Sequence, residues 1–188
     1  MRNIAIVGGF GAGKTTLSDA LVDKGYTRVS FAGLLKEMAA RAYGGEIDKG
    51  RTYFVTDLQT GIDREISGRE ILQELGQSVK AMDRDFWINA LVNDIEAGRY
   101  GSNPWVTDDC RFPYEAKALR GVGFLIVKLN VALPVRLERY KTNYGRYPTS
   151  KELIHPSEME LEDIEVDYEI NGENPPAYVR DAVLALAQ

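Results

Sequence analysis

Gly8-Gly9-Phe10-Gly11-Ala12-Gly13-Lys14-Thr15 meets the spacing G-x-x-x-x-G-K-[ST] at every fixed position. The apolar stretch Ile4-Ala5-Ile6-Val7 precedes it, and Leu17, Ala20 and Leu21 recur at helical spacing behind it, so the motif joins a buried strand to a helix. Glycines in such a turn let backbone N–H groups point at an anion, and the following helix directs the positive end of its dipole at the same place. Lys14 then supplies a point charge for the outer phosphates of a nucleoside triphosphate, and Thr15 a hydroxyl for its Mg2+. The expectation is a triphosphate site in which Gly9, Phe10, Gly11, Ala12, Gly13, Lys14, Thr15 and Thr16 follow the phosphates.

Composition narrows the partners. At 188 residues and 44% apolar content the chain is expected to form one α/β domain. No apolar run reaches the length of a membrane helix and no secretory pattern opens the chain, so membrane association is not expected and a cytoplasmic location is. The net charge is -5, with no basic block, which argues against duplex nucleic acid as a partner and in favour of small molecules. Cys110 is the single cysteine, which excludes an intrachain disulfide and a Cys-based zinc site; it reads as a small core residue.

Further strands are expected at Thr27–Phe31, Trp105–Thr107, Gly123–Asn130 and Val166–Ile170, each separated from the next by helical periodicity. That alternation is the signature of a parallel sheet with helices on both faces. Lys36 falls one turn into the second helix, near the carboxyl edge of the sheet where ligands of open α/β sheets bind. Residues 46 to 66 carry no clear period and read as a long loop. Ser67-Gly68-Arg69-Glu70 is a capping box, and Arg69 sits in the first turn of its helix, where a cation gains nothing from the dipole. A bound phosphate would account for it. Trp87, on the next helix, reads as core or as a base-stacking ring.

The third strand ends at Asp108-Asp109, the place of a Mg2+ partner beside a phosphate loop, with Arg111 close behind. Arg136, Arg139, Lys141 and Arg146 crowd a Gly-containing segment suited to close over phosphates. The acidic run from Ser150 to Asp167 reads as a solvated face. His155 has no Cys or Ser paired with it in a nucleophile pattern, so no triad is expected.

Phe31-Ala32-Gly33-Leu34-Leu35-Lys36, Gly68-Arg69-Glu70-Ile71-Leu72-Gln73 with Gly76, Trp87, Thr107-Asp108-Asp109-Cys110-Arg111-Phe112-Pro113 and His155-Pro156-Ser157-Glu158, taken with the glycine loop, resemble the bacteriophage type of deoxynucleoside monophosphate kinase. The resemblance spans nearly the whole chain. It implies a five-stranded parallel sheet in a three-layer α/β fold, a monophosphate-binding region over about 33–100, a lid over about 136–158, and transfer of the γ-phosphoryl of ATP to a dNMP. Under it Lys14, Arg136 and Arg139 are catalytic, Asn171 joins the loop residues in binding ATP, and Asp109 with Thr15 serves the metal. Lys36, Arg69, Gln73, Trp87, Arg111 and Glu158 would bind the acceptor. Two rivals share the loop: a kinase of the dephospho-coenzyme A, shikimate or gluconate type, and a nucleotide-dependent switch. Base preference and homodimer formation are left open.

Overall fold

Ile4, Ala5, Ile6 and Val7 have no solvent exposure at all. The reason is topological: β1 (Asn3–Val7) is the central strand of a five-stranded parallel sheet, flanked by β5 (Trp105–Thr107) and β6 (Phe124–Asn130), with β2 (Thr27–Arg28) and β7 (Tyr168–Asn171) at the edges. Ile4 pairs with Val106 on one side and with Leu125 on the other. A strand with neighbours on both edges and helices over both faces is read in sequence as a continuous apolar run.

The structure is a computed structural model that describes all 188 residues, and the chain divides into two units: Met1–Ser30 with Asp94–Gln188, and Phe31–Asn93. The first holds the sheet. Leu17 and Leu21 of α1 (Lys14–Val22) and Val179 and Val183 of α9 (Pro176–Leu186) pack with Ile4, Ile6, Leu125 and Val127. Each of these side chains contributes about 1.5–3 kcal/mol by leaving water. Cys110 is buried, in the manner of a small core residue.

The second unit corrects one expectation. Residues 46 to 66 contain an antiparallel hairpin, β3 (Thr52–Thr56) and β4 (Asp63–Ser67), in register Phe54 to Glu65. Its inward residues Tyr53, Val55 and Ile66 pack against Ile71 and Leu72 of α3 (Gly68–Met82) and Leu35 of α2 (Gly33–Tyr43). Asp57 closes the tip, its carboxylate accepting the Gln59 and Thr60 N–H groups at 2.8 and 3.0 Å. The expected capping box is present: Ser67 Oγ accepts the Glu70 N–H and the Glu70 carboxylate accepts the Ser67 N–H. Gly68 has no room for a side chain, since a Cβ there would overlap the Asp48 carbonyl oxygen. The unit also holds the start of α4 (Phe86–Glu96). No helix of the chain is long and apolar enough to cross a membrane.

Candidate active site

The phosphate loop leaves β1 and enters α1 with Gly11 at φ 68° and Gly13 at φ 94°, left-handed conformations that favour glycine. Lys14 folds back over the loop, and its Nζ donates to the carbonyls of Gly8 at 2.6 Å and Gly9 at 3.0 Å. Burial, and after it the charge of Arg111, push its ammonium down to about 8; Glu158 and Asp108 pull it up, and Arg136 pushes it down again. Three cations and two carboxylates therefore share the mouth of the loop.

After β6, Pro134 opens α6 (Leu133–Tyr144), which lies directly on the loop. A Cβ on Gly11 would meet the Arg136 carbonyl oxygen at 2.5 Å, and one on Gly9 would overlap the Arg136 Nη1. From this helix two arginines reach opposite ends of the loop. Arg136 covers Gly9 and Phe10, its guanidinium carbon 4.9 Å from the centre of the Phe10 ring. Arg139, one turn on, donates to the carbonyls of Gly11 and Ala12 at 3.4 Å and to that of Gly172 at 3.0 Å.

Beside Arg139 opens a cavity of about 640 Å3, lined by Gly11, Ala12, Gly13 and Thr16 of the loop, by Val135, Glu138 and Asn143 of α6, and by Gly172 to Pro176 ahead of α9. That volume suits a drug-sized or nucleoside-sized ligand. Asn171, expected among the triphosphate-binding residues, does not line it. Its side chain turns to accept the Glu173 N–H and borders a separate surface hollow, whereas the next residue, Gly172, presents its carbonyl to Arg139.

Short helices carry the acidic stretch, and it is not uniformly solvated. α7 (Ser150–Leu153) presents Glu152, which receives both Arg146 Nη atoms at 2.8 Å and the Tyr140 hydroxyl at 2.8 Å. These bonds, with the N–H and hydroxyl of Thr149, hold the Glu152 carboxyl far below the usual carboxylate range. α8 (Pro156–Met159) presents Glu158, whose two oxygens accept the Phe10 N–H at 3.1 and 3.2 Å while Oε2 pairs with Arg136 at 3.3 Å. Expected at the acceptor, Glu158 is instead bonded to the phosphate loop. His155 caps α8 by accepting the Ser157 N–H, which gives it a structural task.

At the end of β5 the two aspartates part company. Asp109 accepts the hydroxyls of Thr107 at 2.6 Å and Ser30 at 2.7 Å, whereas Asp108 is the one whose charge bears on Lys14. Arg111 is exposed at its side chain and fixed at its backbone, where its N–H and that of Phe112 donate to buried Glu115 of α5 (Pro113–Gly121).

Lys36, Arg69, Gln73 and Trp87 all belong to the second unit. Lys36 on α2 and Arg69 and Gln73 on α3 are exposed. Trp87 is the core residue of the two readings: it is 5% exposed, and its indole N–H donates to the Gly76 carbonyl at 3.2 Å, so neither ring face is offered to a base.

Comparison with protein-family models and with curated proteins finds no match. Solved structures do match. A gluconokinase from Sinorhizobium meliloti 1021 aligns over 99% of this chain and 93% of its own, at 20% identity and a TM-score of 0.55. A sugar kinase from Janibacter sp. HTCC2649 covers 98% and 93%, at 18% identity and 0.59. Shikimate kinase from Aquifex aeolicus covers 98% and 94%, at 17% identity and 0.52. The sheet, its helices and the loop are thus those of the P-loop kinase fold.

Proposed function

We propose that the chain is an ATP- and Mg2+-dependent kinase of a small molecule. The observation that carries this is the pairing of an intact phosphate loop, closed over Lys14, with a nucleoside-sized cavity at one end and a cluster of Lys14, Arg111 and Arg136 at the other. The cavity takes the base and ribose, with Arg139 along its wall. Loop N–H groups and the α1 dipole take the phosphates. Lys14 turns from the carbonyls of Gly8 and Gly9 to the β- and γ-phosphates, and Arg136 takes charge that builds on the transferring group.

The oxygen donors fit Mg2+. Thr15 is an exposed residue in the first turn of α1, and the Asp108-Asp109 pair directly follows β5. A hard cation of this kind is held by one or two protein oxygens together with substrate phosphates. When bound it neutralises phosphate charge; orientation and the remaining charge compensation come from the chain.

For the acceptor we propose a deoxynucleoside monophosphate. Within the second unit, Lys36, Arg69 and Gln73 support that reading, because an anionic acceptor needs cations and a base needs an amide; Arg111 of the first unit supports it on its own account as a further cation. A phosphate acceptor arrives ionised, so no general base is required. The gluconokinase, sugar kinase and shikimate kinase neighbours favour a second reading, a polyol or carboxylated acceptor with a hydroxyl to be phosphorylated. Release of ADP from Mg-ATP, measured across the four dNMPs, their ribonucleotide counterparts, gluconate, shikimate and dephospho-coenzyme A, decides between them. Turnover with a dNMP and none with gluconate or shikimate supports the first. The reverse pattern moves the chain to the second, and acceptor-independent hydrolysis equal to the best turnover removes the kinase reading.

A further inference from the structure

Glu158 is 10% exposed at its side chain, and Arg136 is 21% exposed. A carboxylate so far removed from water must be compensated, and two groups do so: the Phe10 N–H, 148 residues away in sequence, and the Arg136 guanidinium. Phe10 is held in turn. Its ring lies under the Arg136 guanidinium and meets the Tyr140 ring edge-on at 5.6 Å, and the Tyr140 hydroxyl is anchored on Glu152. On the other side, His155 and buried Ser157 hold the turn of chain from which Glu158 projects.

The Arg136 fork is only partly used. Nη1 is engaged by Glu158, and the plane rests on Phe10, yet the buried Nε has no hydrogen-bond partner. An unpartnered buried donor is costly to maintain unless something arrives to meet it. The guanidinium lies against Gly9, whose carbonyl also holds the Lys14 ammonium, so the terminal phosphate that Lys14 would meet is expected nearby.

We propose that Glu158 is a positioning residue for phosphoryl transfer: it clamps Arg136 to Gly9 and Phe10, so that the arginine meets the terminal phosphate as a fixed donor. The inference rests on the kinase reading above and adds a residue that touches neither substrate. A guanidinium held in place loses less side-chain freedom when the phosphate arrives than one left free in solvent. The same clamp ties the segment around α8 to the loop through one backbone N–H, so the loop and the arginine are set by a single carboxylate.

The test is a double-mutant cycle read on nucleotide preference as well as turnover. Dissociation constants for Mg-ATP and Mg-ADP are measured by calorimetry for wild type, Glu158→Gln, Glu158→Asp, Arg136→Ala and the Glu158→Gln/Arg136→Ala pair, with single-turnover rates on the best acceptor. Gln keeps an acceptor for the Phe10 N–H and removes the charge. We expect it to lose about tenfold of the preference for ATP over ADP and to lower the transfer rate with little change in KM. Arg136→Ala loses at least as much, the double variant no more than Arg136→Ala alone, and Glu158→Asp recovers part of the preference because it keeps the charge. Additive losses in the pair, or a Glu158→Gln preference equal to wild type, overturn the proposal. Should Glu158→Gln fail to fold, Glu158→Asp against Arg136→Ala carries the same comparison. Coupling in the binding data without turnover on any acceptor leaves the clamp standing and removes the acceptor assignment; wild type that binds neither nucleotide removes both.

Discussion

Arg136 and Arg139 stand one turn apart on the same helix, are drawn from the same basic segment and touch the same loop, yet their surroundings differ. Arg136 is held by a carboxylate and keeps a buried N–H without a partner. Arg139 is held by three carbonyls, at Gly11, Ala12 and Gly172, and borders the 640 Å3 cavity. A carboxylate competes with phosphate for a guanidinium and fixes it over Gly9 and Phe10, whereas carbonyls leave its positive charge uncompensated. Position on a helix selects which end of the loop a cation serves, and the partner selects how tightly it is aimed.

The largest effect belongs to the lysine at the Arg136 end of the loop. Lys14→Ala should lower phosphoryl transfer by about 10^2–10^3 with the fold intact, as read by turnover against a thermal melt. Turnover near wild type would take Lys14 out of the mechanism. Next comes the crowding under α6. Gly11→Ala places a methyl group 2.5 Å from the Arg136 carbonyl, at φ 68°. It should displace the helix from both ends of the loop, destabilise the fold by about 1–2 kcal/mol from the left-handed backbone alone, and reduce ATP affinity in calorimetry.

The sharper separation is Arg139→Ala. It should raise KM for ATP about tenfold and change the transfer rate little, the opposite split from that expected at Arg136. Equal effects on rate would dissolve the distinction between the two ends. Affinity should also follow pH through Lys14. Its ammonium is held down to about 8, so it is charged below that value and neutral above it, and ATP binding should weaken as pH rises through 8. Lys14→Met should flatten that dependence. A variant that keeps the full pH response would place the titration on another group. The smallest effect on activity lies outside this unit, though its cost in stability is large: Gly68→Ala drives a methyl group into the Asp48 backbone carbonyl and should lower Tm markedly, as read by a thermal melt.

Much of this was legible in the sequence, for reasons that vary by element. The loop and its flanks are local: glycine spacing, an apolar strand and a helical repeat suffice, and the three inner strands β1, β5 and β6 follow from buried runs, whereas the edge strands β2 and β7 are mostly exposed. Ser67 and Glu70 declared their cap because both halves lie within four residues. The hairpin was missed because its outward face carries Phe54 as well as Thr52 and Thr56, which obscures the two-residue period, and Asp63-Arg64-Glu65 hides β4. Trp87 could be written either way until burial decided it. Glu158 lay in an acidic run whose composition suggests water, and nothing in spacing shows that one member of that run meets Phe10. Asn171 turns to the Glu173 N–H, and it is the next residue, Gly172, that lines the cavity. The hairpin and the Asn171 turn are local pairings whose composition blurs the period, whereas the Glu158 contact joins residues 148 apart, which neighbours in sequence do not encode.

The central position of β1 has a consequence in time as well as in space. Its amide groups are bonded to strands on either side and its side chains exclude water, so its hydrogens can exchange only when the sheet itself comes apart. The hairpin of β3 and β4, two strands with an exposed tip, should exchange orders of magnitude sooner. The phosphate loop therefore hangs from a strand that should be among the last of the chain to exchange, so its geometry is anchored where opening is rarest.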